Sequence, residues 1–168
     1  MRRTVQGIVL REINYKEADK ILTVLTREEG KLTLKARGCR RKNSRLLASS
    51  QLLVYSELAI TQRGEFITLV EGDPLTQFRR LGEDIDKLAL ASYFAEVTEK
   101  TVQEGEVCPD ILSLLLNCLY ALDTLDKPLE QVKAVFQLRL LTLTGLAPLL
   151  DTCVVCGNPQ PEEPRLHL

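Results

Sequence analysis

The chain has 168 residues, of which 45% are hydrophobic and 27% are charged. This composition excludes an intrinsically disordered protein, and the length allows one or two domains. No apolar run approaches the roughly 20 uncharged residues of a membrane span, and no apolar signal core follows the basic N-terminus. The five cysteines, an odd number, do not indicate a disulfide framework. We therefore expect a soluble protein of a reducing compartment.

The net charge of −1 hides two halves of opposite sign. Residues 1–80 hold 16 basic and nine acidic side chains, a net charge of +7. Residues 81–168 hold six basic and 14 acidic side chains, a net charge of −8. This split indicates two modules with different partners, and it predicts that the basic module faces a polyanion.

In residues 1–80, apolar and polar residues alternate with a period of two, which is typical of β-strands. We predict five strands, at residues 5–10, 21–27, 31–37, 52–61 and 66–70. Glu29-Gly30 and Gly64 predict tight hairpins after the second and fourth strands. On the third strand, alternation places Lys31 and Lys35 on a basic face opposite an apolar one. This pattern predicts a five-stranded barrel of the oligonucleotide-binding (OB) fold over residues 1–80.

After residue 74 the spacing of apolar residues changes to that of helices. We predict a first helix at residues 84–103, with Ile85 and Leu88 on its buried stripe. A second helix begins at Pro109, and a third begins near Pro128 and ends before Gly145. The sequence therefore predicts an all-α helical domain at residues 81–150 and an α+β protein overall.

The stretch from residue 35 to residue 45, Lys-Ala-Arg-Gly-Cys-Arg-Arg-Lys-Asn-Ser-Arg, has six basic and no acidic side chains. It continues directly from the basic face of the third strand. Such a cluster binds phosphates by releasing counterions and does not read bases. Tyr15 and Tyr55 are candidates for stacking on a base. The candidate DNA-binding residues are Lys31, Lys35, Arg37, Arg40, Arg41, Lys42 and Arg45.

Two other interpretations of the basic stretch stay open. Most charge runs are solvated loops that keep a protein in solution. Alternatively, the barrel docks an acidic protein, which would make the chain an interaction scaffold. The sequence shows no phosphate-binding glycine loop and no pair of carboxylates at a spacing that indicates catalysis. Its single histidine is His167. We therefore predict a binding protein with no catalytic residues.

Cys153 and Cys156 lie in the sequence Cys-Val-Val-Cys-Gly, which has the spacing of a zinc knuckle. Two thiolates at a tight turn can bind zinc, but a structural site needs two more ligands. We predict a partial zinc-knuckle segment at residues 151–168, the start of a zinc-ribbon-like structure, with a bare or redox pair as the alternative. Cys108 and Cys118 are predicted to pack, whereas Cys39, beside three arginines, is a candidate reactive thiol.

Three stretches of the N-terminal half resemble a known family. They are Gly-Ile-Val-Leu-Arg at residues 7–11, Tyr-Lys-Glu-Ala-Asp-Lys-Ile-Leu-Thr-Val-Leu-Thr at residues 15–26, and Gly-Lys-Leu-Thr-Leu-Lys followed by the rest of the basic stretch at residues 30–45. They closely resemble the N-terminal region of the RecO family of bacterial recombination and repair proteins. Family members typically run on past this point, and those with a zinc site complete it with a second CxxC pair. We therefore expect the chain to be a fragment.

The resemblance implies a recombination mediator without enzymatic turnover, located in the bacterial cytoplasm at the nucleoid. Such proteins bind single- and double-stranded DNA, anneal complementary strands, partner RecR and engage the acidic tail of single-stranded DNA-binding protein to help load RecA. The acidic helical half is then an interaction module. A tail of acids and an aromatic needs an apolar groove beside a cation, for which Lys133 and Arg139 on the third helix are the candidates.

Overall fold

The computed structural model describes residues 2–125, 127–149 and 151–160. They begin with a closed barrel of five strands, which confirms the predicted five-stranded barrel. The order around the barrel is β1-β2-β3-β5-β4, and every neighbouring pair is antiparallel except β3 with β5. The strands are β1 (Arg2–Tyr15), β2 (Asp19–Thr26), β3 (Gly30–Ala36), β4 (Tyr55–Arg63) and β5 (Phe66–Thr76).

A short 3-10 helix at Arg79–Glu83 leads from the barrel to three α-helices. Asp84 caps the first helix, because its carboxylate accepts hydrogen bonds from the backbone N–H groups of Asp86 and Lys87. Pro109 is the first residue of the second helix, where its missing N–H costs nothing. None of the described helices is long and apolar enough to cross a membrane. The helices are α1 (Ile85–Thr101), α2 (Pro109–Thr124) and α3 (Leu129–Leu143).

The middle of strand β1 is buried on both of its faces. Val5 and Val9 point into the core of the barrel, whereas Ile8 and Leu10 point outwards into a second core that also contains the helices. A strand covered on both faces needs a continuous apolar run, which explains why the alternation breaks down at residues 7–10. The barrel and the helices are therefore joined by a shared core.

The core of the helical part is centred on Phe94 of α1 and Phe136 of α3. Their rings stack with centroids 4.1 Å apart, and both side chains are fully buried. The predicted buried stripe of α1 is wrong at its beginning, because Ile85 is 76% exposed and Leu88 is also exposed. The buried residues of α1 lie further along the helix. They are Ala91, Phe94, Ala95 and Thr98.

The end of α1 and the segment that follows it lie against the first half of β3. The ammonium of Lys31 donates a 2.7 Å hydrogen bond to the backbone oxygen of Glu99, and the hydroxyl of Thr33 donates a 3.0 Å hydrogen bond to Glu104. Gly30 has a φ of +70°, and a Cβ atom added there would lie 2.1 Å from the backbone oxygen of Glu106. Only glycine fits this approach. The outer face of β3 is therefore not a continuous basic surface.

Candidate nucleic-acid interface

The turn between β1 and β2 and the loop between β3 and β4 are joined by one carboxylate. The backbone N–H of Gly38 donates a 2.8 Å hydrogen bond to Oδ1 of Asp19, and the ammonium of Lys35 lies 3.6 Å from Oδ2. The backbone N–H of Arg40 also donates to the oxygen of Ala18, at 3.0 Å. These bonds hold the two loops side by side at one end of the barrel.

The N–H of Gly38 lowers the pKa of the Asp19 carboxyl below its ordinary value of 3.8. The ammonium of Lys35 lowers this pKa further, against the opposing effect of desolvation. Because the charged form is favoured, the carboxylate keeps its charge and both of its bonds at neutral pH.

A group of cations lies on the loop that Asp19 holds, and we call it the basic patch. Four of its members are exposed and form no salt bridge or side-chain hydrogen bond with any residue that the structure describes: Arg37, Arg41, Lys42 and Arg45. Arg40 is also exposed, but its guanidinium donates to the backbone oxygen of Glu17 at 3.2 Å. Lys35 completes the patch. Sequence reasoning predicted these six residues together, and the structure brings them together.

Several basic residues elsewhere in the barrel have carboxylate partners. Arg2 lies 2.7 Å from Glu71, and Lys20 lies 2.7 Å from Glu12. Seven cations, counting Lys16 in the adjacent turn, therefore face only two carboxylates in the two loops, those of Glu17 and Asp19. The unpaired positive charge gives this end of the barrel the field that attracts a polyanion.

Apolar side chains of the loop anchor the patch to the barrel. Cys39 and Leu46 lie in the barrel core, and Leu53 lies in the core shared with the helices. The backbone N–H of Leu53 also donates to the oxygen of Val9 at 2.9 Å. The expectation that Cys39 is a reactive thiol is wrong, because its side chain is fully buried between two exposed stretches of the loop. The arginines around Cys39 therefore point to solvent from a fixed backbone.

Lys31 lies apart from the basic patch. It is four residues from Lys35 on the same face of β3, which corresponds to about 13 Å along a strand. Its ammonium is held by the backbone of α1, as described above, so it joins the barrel to the helices. We therefore leave Lys31 out of the candidate interface.

The two tyrosines considered for base stacking have different environments. Tyr15, the last residue of β1, is 41% exposed and lies beside the patch, with the ammonium of Lys35 4.6 Å from its ring centroid. Tyr55 packs against the core shared with the helices and donates a 3.2 Å hydrogen bond to Gln6. Its burial also raises the pKa of its hydroxyl. Only Tyr15, of these two, presents its ring to a ligand on the patch.

The two candidate partner-binding cations lie on different sides of α3. Arg139 lines a groove of about 660 Å³ between α2 and α3, whose walls include Leu114, Val132 and Val135. Lys133 lies over the ring of Tyr93 on α1, with 5.9 Å between its ammonium and the ring centroid. Only Arg139, of these two, is placed beside an apolar groove.

The segment at residues 151–160 forms the turn of a cysteine knuckle. Gly157 has a φ of +71°, and its N–H donates to the oxygen of Cys153 at 2.8 Å. The backbone N–H groups of Cys156 and Val155 bond the sulfur of Cys153 and lower the pKa of its thiol. The described residues contain no cluster of three or more His, Cys, Asp or Glu side chains that would hold a metal. His167 lies outside the described residues.

Cys108 and Cys118 have the packing roles that the sequence predicted. Cys118 lies in the shared core, and burial raises the pKa of its thiol to about 11. Cys108 is half-buried immediately before α2, where burial also raises the pKa of the thiol. A raised pKa disfavours the thiolate, which is the nucleophilic form of cysteine.

Comparison with known families gives the same division into a barrel and a helical part. A family model described as the N-terminal part of recombination protein O matches residues 1–78, and one described as its C-terminal part matches residues 82–165. The chain belongs to the RecO family. The resemblance noted in the sequence is therefore confirmed.

Curated relatives of the RecO family match most of the chain. The DNA repair protein RecO of Acetivibrio thermocellus is 34% identical over 90% of this chain and 61% of its own length. The proteins of the same name from Halalkalibacterium halodurans and Caldicellulosiruptor saccharolyticus are 33% and 36% identical, over 94% and 90% of this chain and 62% of their own lengths. The chain thus spans about three-fifths of the length of these relatives.

One residue with a role at the interface was missed by sequence reasoning. Asp19 stands in a stretch that resembles the RecO family, but its sequence neighbours do not show that it accepts a bond from Gly38, 19 residues later. An acid followed by a paired strand and a glycine is a common pattern, so it gives no local signal. The one usable clue is that an acid in a basic half needs a partner.

Proposed function

We propose that this chain is a DNA-binding recombination mediator in DNA repair, in which the basic patch holds the sugar–phosphate backbone. The observation that carries the proposal is the set of four unpaired cations on a loop fixed by Asp19 and by buried apolar anchors. Unpaired surface cations have no intramolecular bond to lose when they meet a phosphate. Binding therefore gains the full entropy of counterion release.

The patch consists of long cations, most of them exposed, which suit contacts with phosphates. Binding of this kind depends on the backbone and tolerates any sequence, in single- and double-stranded DNA. A strand held through its phosphates leaves its Watson–Crick edges free for a second strand. This supports a role in annealing complementary strands and in assisting RecA loading.

A charge-matched pair of variants tests the DNA-binding proposal. The variant Arg41→Ala/Lys42→Ala/Arg45→Ala removes three unpaired cations of the patch. The variant Arg27→Ala/Arg79→Ala/Arg80→Ala removes the same charge from the turn between β2 and β3 and from the 3-10 helix. Fluorescence anisotropy with two labelled oligonucleotides of unrelated sequence measures affinity. The first variant is expected to weaken both complexes by about tenfold or more.

Two results would contradict the proposal. One is an equal loss of affinity in both variants, which would trace binding to net charge alone. The other is a loss for one oligonucleotide and not for the other, which would require base reading. A strand-annealing assay with complementary labelled oligonucleotides, run on the same two variants, then separates binding from annealing.

The groove between α2 and α3 supports a protein partner in addition to DNA. Apolar walls with Arg139 at the rim suit a peptide that ends in acids and an aromatic, such as the tail of single-stranded DNA-binding protein. The matched test uses Arg139→Ala and Lys133→Ala with a labelled peptide of that composition. Arg139→Ala is expected to weaken binding, whereas Lys133→Ala, on the other side of α3, is not. RecR is the further partner of this proposal.

The knuckle supports a structural zinc ion, for which Cys153 and Cys156 supply two of the four ligands. Its backbone turn is already that of a metal-binding knuckle, with N–H groups directed at the sulfur of Cys153. Cobalt(II) in place of zinc gives a thiolate charge-transfer band that reports these ligands. The band is expected to disappear in Cys156→Ser and to persist in the control Cys108→Ser. Persistence in both variants would refute the assignment.

A further inference from the structure

The ring of Tyr15 stands at the edge of the basic patch. It is 41% exposed and is absent from both apolar cores of the described residues. Its near neighbours are two ammonium groups, those of Lys35 at 4.6 Å and Lys16 at 5.5 Å from the ring centroid. The exposed part of this ring is a surface that a ligand can occupy.

Binding of a nucleobase to this ring is favoured over the present contacts. A base stacked on an aromatic side chain contributes more than a cation over an exposed aromatic ring does. Phosphates of the same strand also attract the ammonium groups of Lys35 and Lys16. The exchange costs little at Lys16, which forms no salt bridge with any described residue, whereas Lys35 also lies 3.6 Å from Asp19 and keeps that ion pair.

The other tyrosines of the chain do not offer such a surface on the patch. Tyr55 is half-buried against the shared core. Tyr93 accepts a 2.8 Å hydrogen bond from Gln137 and lies beside Phe94. Tyr120 is exposed, but it belongs to α2, in the helical part.

We propose that Tyr15 is a stacking platform for one unpaired nucleobase of a strand whose phosphates lie on the basic patch. The ligand class is single-stranded nucleic acid of any sequence, since every base has a face that can stack. In a duplex the bases already stack on each other, so none is available without unpairing. The ring therefore gives the barrel a preference for single strands that the cations alone do not supply. This inference rests on the proposed DNA-binding function.

The test compares two substitutions at Tyr15 with one at a remote tyrosine. Tyr15→Leu removes the ring and keeps an apolar side chain, Tyr15→Phe keeps the ring, and Tyr120→Leu removes an exposed tyrosine on α2. Tyr15→Leu is expected to lower the affinity for an oligothymidine by roughly fivefold or more, which corresponds to the lower end of measured stacking energies. Tyr15→Phe restores the affinity, and Tyr120→Leu does not alter it.

Two further ligands make the result specific. An oligonucleotide of the same length with abasic sites offers phosphates without bases, so wild type and Tyr15→Leu are expected to bind it equally. A strand that carries 2-aminopurine reports stacking directly, because its fluorescence falls when the base stacks. This quenching is expected with wild type and not with Tyr15→Leu. Only the folded fraction of the variant is compared with wild type.

The outcomes separate this inference from the function on which it rests. If Tyr15→Leu binds oligothymidine as wild type does, or loses equal affinity for the abasic strand, the stacking role is refuted while salt-dependent DNA binding stands. If wild type itself binds no DNA, both the function and the stacking role are refuted.

Discussion

Removing three unpaired cations from the basic patch is expected to flatten the salt dependence of DNA binding. The perturbation is Arg41→Ala/Lys42→Ala/Arg45→Ala, which leaves the bonds of Asp19 to Gly38 and Lys35 untouched. Each unpaired cation that neutralises one phosphate contributes about −0.7 to the slope of log K against log salt for a single strand. The slope therefore counts the contacts that this loop makes.

The number of unpaired cations sets the slope of log K against log salt. The four unpaired cations of the patch contribute about −3 to the slope of wild type, which corresponds to about a 50-fold fall in affinity from about 50 to about 200 mM salt. In the triple variant only Arg37 of these four remains, so their contribution falls to about −0.7, or about threefold over the same range. The two proteins therefore differ most at low salt and converge at high salt.

The assay is fluorescence anisotropy of a labelled oligothymidine at five or more salt concentrations, with Arg27→Ala/Arg79→Ala/Arg80→Ala as the charge-matched control. The control is expected to keep the slope of wild type. A triple variant that keeps the wild-type slope would refute the assignment of phosphate contacts to this loop. A control that loses the slope to the same extent would show that net charge, and not the patch, drives binding.

Three further predictions concern stability and thiol chemistry. Because the pKa of Asp19 is lowered in the folded state, its stabilising effect is complete above about pH 4 and is lost as the pH falls further. In urea unfolding, Asp19→Asn is therefore expected to lose less stability than wild type between about pH 5 and pH 2. An identical loss of stability in both proteins over this range would contradict this. Gly30→Ala is expected to lower the free energy of unfolding by about 2–5 kcal/mol, because of its positive φ and its clash with the backbone of Glu106. Gly64→Ala, with a φ of +61° and no atom within 4 Å, is expected to lower it by about 1–2 kcal/mol. Equal melting temperatures of the two variants would contradict the close approach at Gly30. A thiol reagent is expected to modify Cys39 only after unfolding, and rapid labelling of the native chain at this residue would contradict its burial.

Local signals in the sequence were sufficient for the order of elements. The turn at Gly64 and the proline that begins α2 each depend on the backbone of a few neighbouring residues. The basic stretch could also be read locally, since its cations lie on one continuous loop. These features were predicted because no distant contact decides them.

Features decided by distant contacts could not be predicted in the same way. Alternation showed that β3 has a polar face. It did not show that the end of α1 and the segment after it cover half of that face, or that Lys31 donates a hydrogen bond to the backbone of α1. The apolar spacing of α1 was correct, but which of its residues are buried depends on where the barrel and α3 lie against it. Cys39 looked exposed among arginines, whereas Gly38, with a φ of +63°, turns the chain so that this one side chain enters the barrel.

The core shared by Ile8 and Leu10 of the barrel with the helices makes the two parts one cooperative folding unit. Because neither part can lose its structure without exposing the apolar side chains of the other, calorimetry of the described region should give a single transition. Any ligand that binds only the folded barrel then raises the melting temperature of the helices as well, by mass action. Ligand binding to the barrel can therefore be measured as a stabilisation of the helices, without any change of shape.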